Sequence, residues 1–155
     1  MYRYLSGAIF AVLLAITPLH AAECNVQTYS ALVSESRSAD EGRQWDKSVE
    51  IYSRLINECA ALIKPAELVK AYDALSIARL MTENYSAAIE TAQKCLELDN
   101  RFNSCMLTTA KGYEGLGDRD TAISFARSAV EVGGYDDYSS AVVIFAKSYL
   151  KKMAK

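Results

Sequence analysis

Histidine is nearly absent from this 155-residue chain: the single copy, His20, falls in the N-terminal segment. If that segment is removed, as argued below, the remainder has none. This excludes Ser-His-Asp and Cys-His nucleophile pairs and zinc sites built on imidazole. No glycine-rich phosphate loop and no Gly-x-Ser-x-Gly elbow occurs. There is no Cys-x-x-Cys pair for redox chemistry, and the cysteine spacings of 35, 36 and 10 residues offer no close thiolate pairs for zinc. A basic tract is missing too, since lysine and arginine alternate with acids along the chain, so nucleic acid is excluded as an expected partner. Carboxylates remain as potential acid and base, at Asp118 with Asp120 and at Asp136 with Asp137. All four stand at expected turns or helix starts, where capping accounts for an aspartate without chemistry. The chain is therefore expected to be no enzyme and to hold no cofactor and no metal.

What is present is an apolar fraction of 51%, enough for one buried core in one domain. Residues 1–22 join a short leader carrying Arg3 to an apolar stretch from Leu5 to Leu19 and end in Ala21-Ala22, the layout of a cleavable export signal. That stretch is shorter than the ~20 residues that span a bilayer, and Pro18 breaks it. An uncleaved membrane anchor is the alternative. Glu23 before Cys24 is unlike the small residue that lipid attachment requires. The processed chain, 23–155, is expected in the periplasm or the medium, with no stable membrane insertion. Loss of Arg3 leaves sixteen basic residues against nineteen acidic ones, a net charge of −3.

The chain repeats itself. The segment ENYSAAIETAQKCLELDN aligns with GDRDTAISFARSAVEVGG at an offset of 34, placing Ala88 on Ala122, Ile89 on Ile123, Ala92 on Ala126 and Cys95 on Ala129. RQWDKSVEIYSRLINE repeats the pattern at an offset of 40, with Ser48 in the place of Ala88 and Tyr52 in that of Ala92. The extra length falls around ECAALIKPAEL, a longer connection ending at Pro65, which suits a first helical turn. Each segment follows another helical stretch, and in AELVKAYDALSIARLM an apolar face and an alanine face imply neighbours on both sides. Breakers at Gly42, Glu83-Asn84, Gly115 with Gly117, and Gly133-Gly134 divide the chain into hairpins of about 25–60, 65–99 and 102–133. A final amphipathic helix, 137–153, would close the array, with Lys151, Lys152 and Lys155 suited to its C-terminal dipole.

These features resemble the tetratricopeptide repeat family. The second repeat carries Tyr72, Leu75, Ser76, Arg79, Tyr85 and Ala88, and the third carries Met106, Thr109, Ala110, Tyr113, Gly117, Asp118 and Ala122. Asn100 and a glycine replace the usual terminal proline of those repeats. The resemblance covers nearly all of 23–155, and small residues at Ser76, Ala88, Ala110 and Ala122 are what close helix approach requires. It implies an all-α, right-handed α-solenoid of about three helical hairpins plus a C-terminal capping helix. It also implies a concave groove on the first helix of each pair that binds a protein or peptide partner. By that analogy the groove holds Val33, Arg37, Lys70, Asp73, Ile77, Leu107, Lys111, Glu114 and Phe145, with Lys70 and Lys111 placed to clamp a carboxylate. The competing reading is a solvated helix face. The function implied is an exported, non-catalytic adaptor of the cell envelope. A self-associating unit stacked through its terminal helices is the alternative.

Four cysteines, an even number in an exported chain, suggest disulfides, and four allow three pairings. In stacked hairpins Cys95 and Cys105 flank one turn, while Cys24 opens the first helix and Cys59 closes its partner. The expected bonds are therefore Cys24 to Cys59 and Cys95 to Cys105, the longer loop contributing roughly 3 to 4 kcal/mol by the chain-entropy estimate.

Overall fold

The computed structural model describes residues 24–154; the expected signal at 1–22 lies outside them. The described residues form seven α-helices and no strand: α1 Val26–Glu41, α2 Trp45–Cys59, α3 Pro65–Met81, α4 Tyr85–Leu98, α5 Asn103–Gly115, α6 Arg119–Val132 and α7 Asp137–Met153. A single 3-10 turn, Ala60–Leu62, fills the longer connection after α2. The sequence signals account for the starts. Asn25, Asn84 and Asp118 cap α1, α4 and α6, each side-chain oxygen accepting from the backbone N–H three residues on. Pro65 opens α3. Asp136 and Ser139 cap α7 reciprocally, a capping box. Aspartates 118 and 136 thus serve as helix caps.

The three hairpin turns are built alike. Gln44, Asn84 and Asp118 donate backbone N–H groups to the carbonyls of Ala39, Arg79 and Tyr113, the same six-to-one closure each time. The residue just before each donor has a left-handed backbone: Arg43 at φ 51°, Glu83 at φ 59° and Gly117 at φ 82°. Positions 43, 83 and 117 repeat the offsets of 40 and 34. The first turn departs from expectation, because Gly42 is right-handed, at φ −78°, and Arg43 takes the strained place.

Neighbouring helices pack in chain order, and α3 also packs on α5 and α5 on α7. The contacts run through short side chains. Ser36, Ser76 and Ala110 are equivalent and buried, as are Ser48, Ala88 and Ala122. Cys95 and Ala129, which share a repeat position, are both fully buried. Gly112 is required where α5 crosses α4: a Cβ there would stand 2.6 Å from Ile89 Cγ1. The weaker first repeat places hydroxyls at the small positions and satisfies them, with Ser48 and Tyr52 donating to the Asp40 carboxylate at 2.7 and 2.6 Å. Apolar clusters at the two ends of the stack, one among α1, α2 and α3 and one among α5, α6 and α7, are joined by Val69, Ala92, Cys95 and Cys105.

Sulfur atoms face each other at bonding distance in two pairs, Cys24 with Cys59 (Cα–Cα 5.0 Å) and Cys95 with Cys105 (Cα–Cα 6.4 Å).

Candidate binding groove

The first helices of the pairs, α1, α3 and α5, together with α7, line one side of the stack. Direct packing of α3 on α5 and of α5 on α7 makes this side continuous over its second half. Towards the start, α1 and α3 both pack on α2, and the side carries two clefts.

The first cleft, about 280 Å³, opens between α1 and α3. Val33, Leu55, Ile63 and Ala71 give it apolar walls, and Arg37 and Lys70 stand with Asp40, Glu41 and Glu67 among its charged groups. Lys70 already pairs with Glu67 at 3.4 Å. Tyr52 donates its hydroxyl to Asp40, and burial followed by that bond pushes its phenol up to about 12. The tyrosine therefore stays a neutral donor throughout the physiological range.

The second cleft, about 270 Å³, lies among α3, α5 and α7. Ile77 and Leu80, Leu107, and Val142 and Phe145 line it, and Lys111 is its only charged residue. Phe145 is 65% exposed, a large apolar surface turned to water at the edge of a pocket.

Ser104 and Tyr138 also line the second cleft and cover Asp73. Tyr138, from the first turn of α7, donates its hydroxyl to Asp73 on α3 at 2.8 Å and lies 2.9 Å from the Ser104 hydroxyl on α5. Asp73 is only 5% exposed, and its Oδ1 touches Cys105 Sγ at 3.4 Å, a contact without a hydrogen once that sulfur is bonded to Cys95. Loss of water pushes the Asp73 carboxyl up to about 6, against the opposing pull of the Ser104 and Tyr138 hydroxyls. The Tyr138 phenol is raised in turn, by burial first and by the Asp73 charge second.

The residues expected in one groove are thus divided. Val33, Arg37 and Lys70 meet in the first cleft, and Ile77, Leu107, Lys111 and Phe145 meet in the second. Three expectations need correcting. Asp73 is buried under Tyr138 rather than open to a ligand. Glu114 lines neither cleft; it turns to α7, 3.7 Å from Lys152 Nζ, and its charge bears on the buried Tyr149 hydroxyl. Lys70 and Lys111 line different clefts, so they form no shared clamp. Sequence reasoning missed Tyr138, Ser104, Leu80 and Asp40. Tyr138 and Asp73 are 65 residues apart, and no local periodicity reports such a pairing.

No protein-family model matches the chain, and no curated protein matches it in sequence. Solved structures do resemble it. PcrH from Pseudomonas aeruginosa superposes with a TM-score of 0.74 at 17% identity, over 88% of this chain and 100% of PcrH. The type III secretion translocator chaperone SycD from Yersinia enterocolitica gives 0.69 at 14% identity, over 83% of this chain and 91% of SycD. The tetratricopeptide domain of OM64 from Arabidopsis gives 0.64 at 19% identity, over 81% of this chain and 96% of that domain. At these identities the likeness speaks of architecture, and the architecture of this chain is that of a tetratricopeptide-like, all-α solenoid.

Proposed function

We propose that this chain is a non-catalytic adaptor that binds an extended, largely apolar peptide segment of a partner protein along the α3, α5 and α7 side. The observation that carries the reading is the second cleft, with aliphatic walls, one cation at Lys111 and the outward Phe145 ring at its edge. An apolar side chain seated there, with a carboxylate near Lys111, satisfies the chemistry of the lining. The structural likeness supports it: PcrH has been solved with the chaperone-binding regions of PopD and PopB. The Asp73 carboxylate, 5% exposed, is engaged by the Tyr138 hydroxyl, a structural use of the one buried acid beside the cleft.

The test is selection of peptides from a random display library on the chain beginning at Glu23, followed by calorimetric titration. Phe145→Asp, a change at an exposed residue, is expected to weaken the selected peptides at least ~10-fold, the loss of one anchor residue. Lys147→Glu on the same helix, outside the cleft, is expected to leave binding unchanged. Equal affinities for the native chain and Phe145→Asp would refute the reading.

The same proposal places the adaptor outside the cytoplasm, after cleavage behind Ala22, with both cysteine pairs oxidised. Sequencing the N-terminus of the native protein should return Glu-Cys-Asn-Val. Intact mass without reductant should show no alkylatable thiol, whereas four free thiols would remove the disulfides from the account.

A second reading has its own observation. Ile144 is 69% exposed on α7, in an exposed row with Asp137, Ala141, Ser148 and Lys151 that runs along the edge of the second cleft at Ala141. Two copies paired antiparallel about Ile144 would set Asp137 of each opposite Lys151 of the other, a self-complementary contact. Light scattering over a concentration series separates the readings: a dimer abolished by Ile144→Glu supports self-association, and a constant monomer supports the adaptor alone.

A further inference from the structure

A small polar cavity of about 80 Å³ lies on the side opposite the clefts, where α2 and α4 straddle α3. Its polar lining is Ser53 and Asn57 from α2, Tyr72 and Arg79 from α3, and Thr91 and Lys94 from α4, over a floor of Ile56 and Leu75. Two cations and several donors converge there, and none of the lining residues is a carboxylate. Arg79 is the unusual member. It is half-buried, yet it takes part in no ion pair among the described residues. Its Nη1 donates to the Thr91 hydroxyl and to the Ala87 carbonyl, and its Nε and Nη2 find no acceptor among the described residues. A partly desolvated guanidinium without a counter-charge is costly, and a bound anion is the ordinary remedy. Lys94 is engaged only by Glu90, at 3.5 Å and at the exposed surface, a pairing worth little in water.

We propose that this cavity binds a compact oxyanion of phosphate size, held by Arg79 and Lys94 with the hydroxyls of Ser53 and Tyr72 and the Asn57 amide. The planar guanidinium presents paired N–H groups to two oxygens of such an ion, and the ammonium supplies a point charge to a third. The volume suits one small ion and excludes an extended peptide, so the site is separate from the groove and does not depend on it. The anion would bridge consecutive hairpins, because its ligands come from α2 of the first and from α3 and α4 of the second.

The experiment is titration of the isotope-labelled chain beginning at Glu23, which carries every described helix. Inorganic phosphate in one arm and acetate in the other are followed by amide and arginine Nε chemical shifts, with ionic strength held constant by sodium chloride. Saturable shifts confined to the cavity lining, at Ser53, Asn57, Tyr72, Arg79, Thr91 and Lys94, are expected. Tighter binding of phosphate than of acetate is expected, and tighter binding of acetate would overturn the assignment to a phosphate-sized ion. Lys94→Gln, at an exposed position, should weaken binding about tenfold, the share of one charge-assisted hydrogen bond. Asn57→Asp should abolish binding, by placing a carboxylate of the chain's own beside Arg79. Because Arg79 also ties α3 to α4, its own replacement is not needed for the test. Shifts that rise linearly without saturating, or that persist unchanged in Lys94→Gln and Asn57→Asp, would overturn the proposal.

Discussion

At the scale of single residues, the backbone is strained where the repeat needs a left-handed turn but the sequence does not supply glycine. Arg43 and Glu83 have positive φ, whereas Gly117 takes the equivalent place freely. Glu83→Gly is expected to raise stability by about 0.5–1 kcal/mol, relief of the left-handed penalty outweighing the added freedom of the unfolded chain. Gly117→Ala should cost a similar amount although no atom lies within 4 Å of the new Cβ. Urea unfolding of both variants checks the pair. Asp73 is the other strained residue. Its folded carboxyl titrates near 6, above the ordinary 3.8, so the folded state holds its proton between those values while the unfolded state has lost it. Its contribution to stability is therefore full below about pH 4 and is lost as pH rises through about 6. Asp73→Asn keeps an acceptor for Tyr138 without the charge. It should stabilise the fold at pH 7 by up to roughly 3 kcal/mol and flatten the pH dependence of the melting temperature between pH 4 and 6. A variant less stable at pH 7 would mean that the charge itself holds α7.

At the scale of elements, the sequence reported what sterics enforce. The small residues at 36, 76 and 110 and at 48, 88 and 122 recur because two helix axes cannot approach over larger side chains, and the structure buries every one of them. The caps at Asp118 and Asp136 were legible because a local bond needs only local sequence, whereas Asn84 was read only as a breaker. What a helix faces across the stack was less legible. Helical periodicity places Asp73 and Ile77 on one face of α3, but a hydroxyl from α7, 65 residues away, decides that one is sealed and the other open. Arg43 was invisible behind Gly42, because both residues sit in the turn and only backbone geometry says which is left-handed. Close approach also sets a cost. Gly112→Ala pushes a methyl into Ile89 and is expected to destabilise by about 1–3 kcal/mol, read as a lower urea midpoint at unchanged slope.

At the scale of the whole molecule, the stack is uneven. α5 is buried along much of its length among α3, α4, α6 and α7, whereas α1, at the end of the stack, packs chiefly on α2 and is tethered through Cys24. The first hairpin should therefore open first. Replacing Cys24 and Cys59 with serine is expected to speed amide exchange in α1 well before α5, by the ~3 to 4 kcal/mol assigned to that loop. The groove is uneven in the same sense, apolar over α3, α5 and α7 and mixed in charge between α1 and α3. A partner that uses this surface must place its apolar residues over the second half. Hydrogen–deuterium exchange of the chain with and without a selected peptide asks this most directly. The account expects new protection on α3, α5 and α7, with α2, α4 and α6 unchanged. Protection confined to α2, α4 and α6 would contradict it.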